Sequence, residues 1–125
     1  MRNIFRVCLA VIMATALHAC GDTTNNTLIV GKWQAVSWTA GDQPSGNNAT
    51  GTSFQFDSTG HYIFDYGATR QKGTYKVENN ILFTKAEGQQ EIMVLIEKLT
   101  NDSLVFNMNR GGQAEKLSLV RAQYF

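Results

Sequence analysis

A hydrolytic triad or a metal centre needs histidine, cysteine or carboxylate side chains brought together, and this chain holds two histidines, two cysteines and ten acids. His18, Cys8 and Cys20 fall in or beside an N-terminal stretch that reads as an export signal, which leaves His61 as the one histidine of the remainder. A Ser-His-Asp or Cys-His arrangement would have to be built around His61, beside the turn at Asp57 to Gly60, and no motif places a nucleophile there. One histidine and scattered acids offer no converging ligand set for a metal. Asp57 and Asp65 could meet across strands, but acids so spread out meet by chance, and glycosidase chemistry is not supported. The glycines stand singly in turns or as Gly111-Gly112, without the strand–loop–helix context that cradles phosphate. No catalytic residue, metal or cofactor is expected, and His61 is expected to point outward from a strand.

The N-terminus carries different chemistry. Residues 1–19 have a positive start at Arg2 and Arg6, an apolar stretch from Val7 to Leu17 and small residues before a cut, the layout of a secretory signal. The apolar stretch is too short to span a bilayer as a helix. Leu17-His18-Ala19-Cys20 resembles the lipobox of bacterial lipoproteins, which implies that Cys20 is lipidated and becomes the first residue of the mature protein. His18 is an unusual occupant of that motif. Each buried methylene adds about 0.8 kcal/mol, so several acyl chains hold a protein on a membrane permanently where one would not. Removing the signal also removes Cys8, so no internal disulfide can form and stability must come from packing. With Arg2 and Arg6 gone, nine basic residues face ten acidic ones, and no field draws the chain to nucleic acid.

Residues 20–27 read as the lipidated cysteine and a polar tether, and residues 28–125 as a single domain. Within that domain apolar and polar residues alternate in runs bounded by turn residues, the period of half-buried strands. The runs are Leu28 to Trp38, Thr52 to Asp57, His61 to Tyr66, Gln71 to Glu78, Asn80 to Ala86, Gln90 to Leu99, Ser103 to Asn109 and Gln113 to Arg121. Short Asn-, Asp- and Gly-rich links between them predict hairpins, and hence antiparallel neighbours. The one long connection, Thr39 to Thr50, holds the sole proline, Pro44. Eight strands with free edges invite edge pairing, and closing them into an up-and-down antiparallel barrel removes the edges. An open sheet or sandwich is the alternative, since periodicity registers strands and not closure.

Gly31-Lys32-Trp33, at the start of the first strand and ahead of the longest loop, resembles the Gly-x-Trp motif that opens lipocalin-type barrels. Leu117 to Arg121 resembles their last strand, which ends in an arginine that covers the tryptophan. The resemblance spans roughly Val30 to Arg121 and is closer to short lipocalin-like lipoproteins of Bacteroidetes-type bacteria than to long secreted lipocalins. It implies structural roles for Gly31, Trp33 and Arg121, with a cation–π contact contributing about 0.5 to 2 kcal/mol. Asp22-Thr23-Thr24, Asp57-Ser58-Thr59 and Asp102-Ser103-Leu104 resemble glycosylation sites of exported Bacteroidetes proteins, with Thr23 the expected one.

Residues spaced by two along each strand share a face. The set Phe54, Phe56, Tyr62, Phe64, Tyr75, Ile92, Val94, Phe106 and Met108 is therefore the candidate lining of the barrel interior. These side chains either fill the barrel or line a cavity for one small apolar or amphipathic ligand. Tyr62, Tyr66 and Tyr75 would supply polar handles at an open mouth. Trp38, on the opposite face from Trp33 by strict alternation, is expected outside beside Val36, where the pair would mark a protein-docking patch. Two functions follow: a monomeric, non-enzymatic lipoprotein of the cell envelope, held in the outer membrane and binding a small hydrophobic ligand, or a filled barrel that serves as an envelope interaction or inhibitor module.

Overall fold

The computed structural model describes residues 25–122. The signal, Cys20 and Thr23 lie outside the described residues.

The strands are β1 (Gly31–Ala40), β2 (Gln43–Pro44), β3 (Thr52–Phe56), β4 (His61–Tyr66), β5 (Thr69–Glu78), β6 (Ile81–Ala86), β7 (Glu91–Leu99), β8 (Ser103–Arg110) and β9 (Gln113–Arg121). All neighbours are antiparallel, and β1 pairs with both β3 and β9, so the eight long strands close into a barrel. The short β2 pairs only with the end of β1, at Thr39 and Ala40, and a 3-10 turn at Ala49–Gly51 leads into β3. The long connection is thus partly ordered by backbone pairing that its Pro and Gly content does not advertise.

The hairpin links follow from local chemistry. Asn79 and Asn80 both take positive φ, 52° and 64°, as a tight two-residue turn between β5 and β6 requires. Asn is among the few side chains that tolerate that region, because its short amide can bond locally. Along β6 the inward set Leu82, Thr84 and Ala86 is buried while Lys85 faces water, the alternation of a sheet with one wet face.

Two bulges break this alternation. Ala35 pairs with Leu119 and Ser37 with Ser118, so Val36 is an extra residue in β1. The insertion shifts the phase by one, and a one-residue shift exchanges faces. Trp33, Ala35 and Trp38 therefore all point inward, and Trp38 is only 6% exposed. This corrects the expectation of an outer Trp38 patch; Val36 is left outside alone, 56% exposed. A second bulge between Ile96 and Lys98 likewise places both Ile96 and Leu99 against the core.

One end of the barrel is plugged. Residues 25–28, expected as free tether and first strand, form a helical turn instead. Ile29 behind it is fully buried, and its carbonyl accepts a bond from Trp33 Nε1 at 2.8 Å. Val77 lies past the end of β4, whose last pairing with β5 is His61 with Thr74. Its backbone is completed by a side chain: Asn26 Nδ2 donates to the Val77 carbonyl at 2.7 Å, and Asn26 Oδ1 accepts from the Val77 N–H at 3.0 Å. A single amide thus stands in for the missing strand, as buried backbone groups demand. Asn25 Nδ2 donates to Asn80 Oδ1 at 3.3 Å on the rim. Ile29, Trp33, Phe56, Val77, Ile96, Leu104 and Leu119 pack this base solidly.

A half-filled barrel as the candidate functional site

Gly31, Trp33 and Arg121 meet at the base. The Arg121 guanidinium sits 4.2 Å from the Trp33 ring centroid. It donates to three carbonyls: Nε to Asn101, Nη1 to Val30 and Nη2 to Leu28, each at 2.7 Å. One side chain therefore ties the N-terminal plug, the β7–β8 turn and the last strand together, which a planar fork of fixed donors can do and a point charge cannot. Gly31 has φ of 135°, and a Cβ there would collide with Arg121 Nη1. The glycine of the Gly-x-Trp motif is the space through which the guanidinium reaches Val30.

Above this base the interior is open. A cavity of about 510 Å³ is lined by inward side chains that include Trp38, Phe54, Tyr62, Phe64, Tyr66, Gln71, Leu82, Thr84, Ile92, Val94, Phe106 and Met108. Small-molecule pockets run from about 300 to 1,000 Å³ with mostly apolar walls and a few polar groups. Phe54 stacks on Phe64 at 4.5 Å and takes the edge of Phe106 at 5.5 Å, forming one continuous aromatic wall. Seven of the nine candidate lining residues border this space. Phe56 and Tyr75 do not: their rings pack on each other at 4.9 Å towards the base, and the Tyr75 hydroxyl donates to the Asp57 carbonyl at 2.6 Å. Ile92, near the β6–β7 turn, is 51% exposed, at the rim and not in the depth. Sequence reasoning passed over Trp38, Leu82, Gln71 and Thr84. The last three keep the same alternation as their neighbours and were legible from it, whereas Trp38 needed the bulge.

Polar groups interrupt the apolar lining or stand beside it. Tyr62 OH donates to Gln71 Oε1 at 2.8 Å, and burial pushes the phenol above its usual range, partly offset by a hydrogen bond with Thr84. On another wall Trp38 Nε1 donates to Glu115 Oε1 at 2.6 Å. The mouth is bordered by the loop after β1, where Tyr66 OH donates to Asn47 Oδ1 at 2.8 Å and Trp38 meets the Tyr66 ring edge-on at 5.7 Å. Of the three tyrosines expected at the mouth, Tyr66 stands there, Tyr62 lies within the cavity wall and Tyr75 points to the base.

A second depression, about 580 Å³, lies over the outside of β3 to β5 around Gln55, Ile63 and Lys72. Phe56 and Tyr62 border it but are each 2% exposed and keep their rings within the barrel. Convergent side chains, and not volume, define a binding site, so the interior cavity is the candidate.

Residues that could do acid–base chemistry lie elsewhere. His61 is exposed and near Thr59 Oγ1, at 3.0 Å. Asp57 accepts from the backbone N–H of His61 and Thr59, at 2.9 Å each, and from Thr59 Oγ1 at 2.8 Å. Those bonds, the His61 N–H first, hold its carboxyl below the usual range. Asp65 pairs with Arg70 at 2.7 Å at the other end of the β3–β4 ladder, so Asp57 and Asp65 do not meet. Among the described residues no three His, Cys, Asp or Glu side chains are grouped to hold a metal ion.

Comparison with known proteins places this architecture. Two solved structures share the fold: a lipocalin-like protein from Bacteroides uniformis ATCC 8492, 16% identical, covering 76% of this chain and 99% of its own with a TM-score of 0.58, and an uncharacterized protein from Bacteroides eggerthii DSM 20697, 15% identical, covering 75% and 99% with a TM-score of 0.57. No curated protein matches the sequence. The sequence model of the lipocalin-like domain matches residues 29–106, from the buried Ile29 through the Gly31–Trp33 motif to Phe106 in the cavity wall, and this chain belongs to that family.

Proposed function

We propose that this protein is a lipoprotein of the bacterial cell envelope, anchored through Cys20 in the outer membrane, whose barrel binds one small apolar or amphipathic molecule without transforming it. The supporting observation is the cavity of about 510 Å³ beneath the mouth, walled by aromatic side chains and marked by the Tyr62–Gln71 and Trp38–Glu115 polar pairs. A ligand with a flat or branched apolar body and one or two hydrogen-bonding groups suits that lining. The filled-barrel reading, with a partner protein docked on the outer surface or long loop, would have been favoured by an outward Trp38–Val36 patch, and with Trp38 inside that patch is not formed.

Native mass spectrometry of the protein purified in mild detergent from its host membranes tests the reading. A reproducible adduct is expected, released on denaturation, and lost in Met108→Arg. Met108 is only partly buried, so its replacement can extend charge to the mouth without unfolding the base. A bare polypeptide mass that stays bare after incubation with membrane lipid extract overturns it.

A further inference from the structure

The outer face of β6 and β7 carries a cluster of four apolar side chains. Ile81 pairs with Leu95 and Phe83 with Met93, a two-by-two array of outward side chains. Met93 is 66% and Leu95 48% exposed. Beside it Lys76 sets its Nζ over the Phe83 ring, 5.1 Å from the centroid, and 3.5 Å from Glu78. Long cationic side chains that cover apolar surface while their charge stays wet are favoured at membrane interfaces, among other apolar boundaries.

The array adjoins the place where the chain enters the barrel. Asn25 bonds Asn80, the residue immediately before Ile81. Cys20 is five residues ahead of Asn25, and five residues span at most about 18 Å fully extended. A lipid on Cys20 therefore holds the bilayer within reach of this corner of the wall. Val36 on β1, also exposed, lies across the barrel from β6 and β7.

We infer that the Ile81, Phe83, Met93 and Leu95 face is a membrane-contact surface that rests in the headgroup–acyl boundary when the protein is anchored. The inference rests on the lipid anchoring of Cys20 proposed above. A second copy is the other candidate occupant, but four apolar side chains fall far short of the roughly 20–30 residues a side of a stable interface. Charge does not drive the contact: Lys76 has Glu78 beside it and Lys116 bonds Glu97 at 2.9 Å, so the rim is balanced and the contact is insensitive to salt.

The test is a nitroxide at Leu95→Cys, and separately at Val36→Cys, in the full lipidated protein reconstituted in phosphatidylethanolamine–phosphatidylglycerol vesicles. The readout is accessibility to lipid-soluble oxygen against a water-soluble nickel chelate, with acylation of the same samples checked by mass. Acyl-bearing protein is expected to show an oxygen-to-nickel ratio on the order of fivefold higher at Leu95 than at Val36, unchanged at high salt, as for side chains buried about 5–10 Å in the boundary. Equal ratios at the two sites in acylated protein, or spin–spin broadening at Leu95 from a neighbouring copy, overturn the inference and leave anchoring intact. A sample without acyl chains overturns both, and the mass distinguishes that case.

Discussion

Arg121→Lys isolates the geometry of the base from its charge. Arginine makes three hydrogen bonds, to Asn101, Val30 and Leu28, and covers Trp33. A lysine keeps the charge and reaches one of those carbonyls, leaving two without their donor. At this partly exposed site each carbonyl left without its donor costs the low end of the penalty for an unsatisfied polar group, about 1 kcal/mol. Loss of planar stacking on the indole adds roughly 0.5 kcal/mol. The expected cost is thus about 2.5 kcal/mol, against about 4 kcal/mol for Arg121→Ala. For a domain of about 100 residues 1 kcal/mol moves Tm by roughly 4–8 °C, so Arg121→Lys should melt about 10–20 °C lower. Thermal melts and urea titrations, followed by near-ultraviolet circular dichroism of the buried tryptophans, measure it. An Arg121→Lys variant within about 0.5 kcal/mol of wild type, less than a single such bond is worth, would refute the claim that the fork holds the base together.

Three further variants probe other parts of the scaffold. Gly31→Ala should cost at least as much as Arg121→Lys, about 2.5 kcal/mol or more, because it adds a positive-φ penalty to the displaced guanidinium, and combining it with Arg121→Ala should restore part of the loss in a double-mutant cycle. Asn26→Ala uncovers the Val77 N–H and carbonyl and should destabilise by about 1–3 kcal/mol, with faster hydrogen exchange at Val77 as its local signature. Asp57 has a depressed folded-state pKa, so the stability it contributes is present above its ordinary carboxylate range and disappears as pH falls through the folded value. Asp57→Asn should therefore lower Tm at neutral pH and converge on wild type in strong acid; a difference that stays constant with pH would contradict that account.

Much of the barrel was legible because one wet and one dry face impose alternation. The bounds read for the strands His61 to Tyr66 and Gln113 to Arg121 coincide with β4 and β9. The failures share a cause: features set by tertiary closure leave no local signal. Trp38 obeys the alternation of its own sequence and is still inside, because Val36 is squeezed out where β1 must pair with β9. Asn25 and Asn26 look like linker composition, and only the missing strand beyond Thr74 gives the amide its task. For the cavity, spacing identified the lining face but not the level, so Phe56 and Tyr75, which pack towards the base, could not be told from Phe64 and Met108. Filling and lining were posed as alternatives, and the barrel does both at different heights.

Closure by β1 against β9 also sets a clock. Residues 33–40 have as partners residues 115–121, so β1 acquires its second neighbour only after those residues have been made. Until Leu119 and Arg121 emerge, Trp33 lacks its cover and Ala35 its cross-strand partner, and an unzipped sheet exposes its apolar row and an unpaired edge. Pairings of such long sequence separation are slow to form, in the millisecond-to-second range for all-β domains. The barrel cannot close before its last strand is available. Until that strand arrives, the unpaired edge of β1 is open to a second copy of the chain.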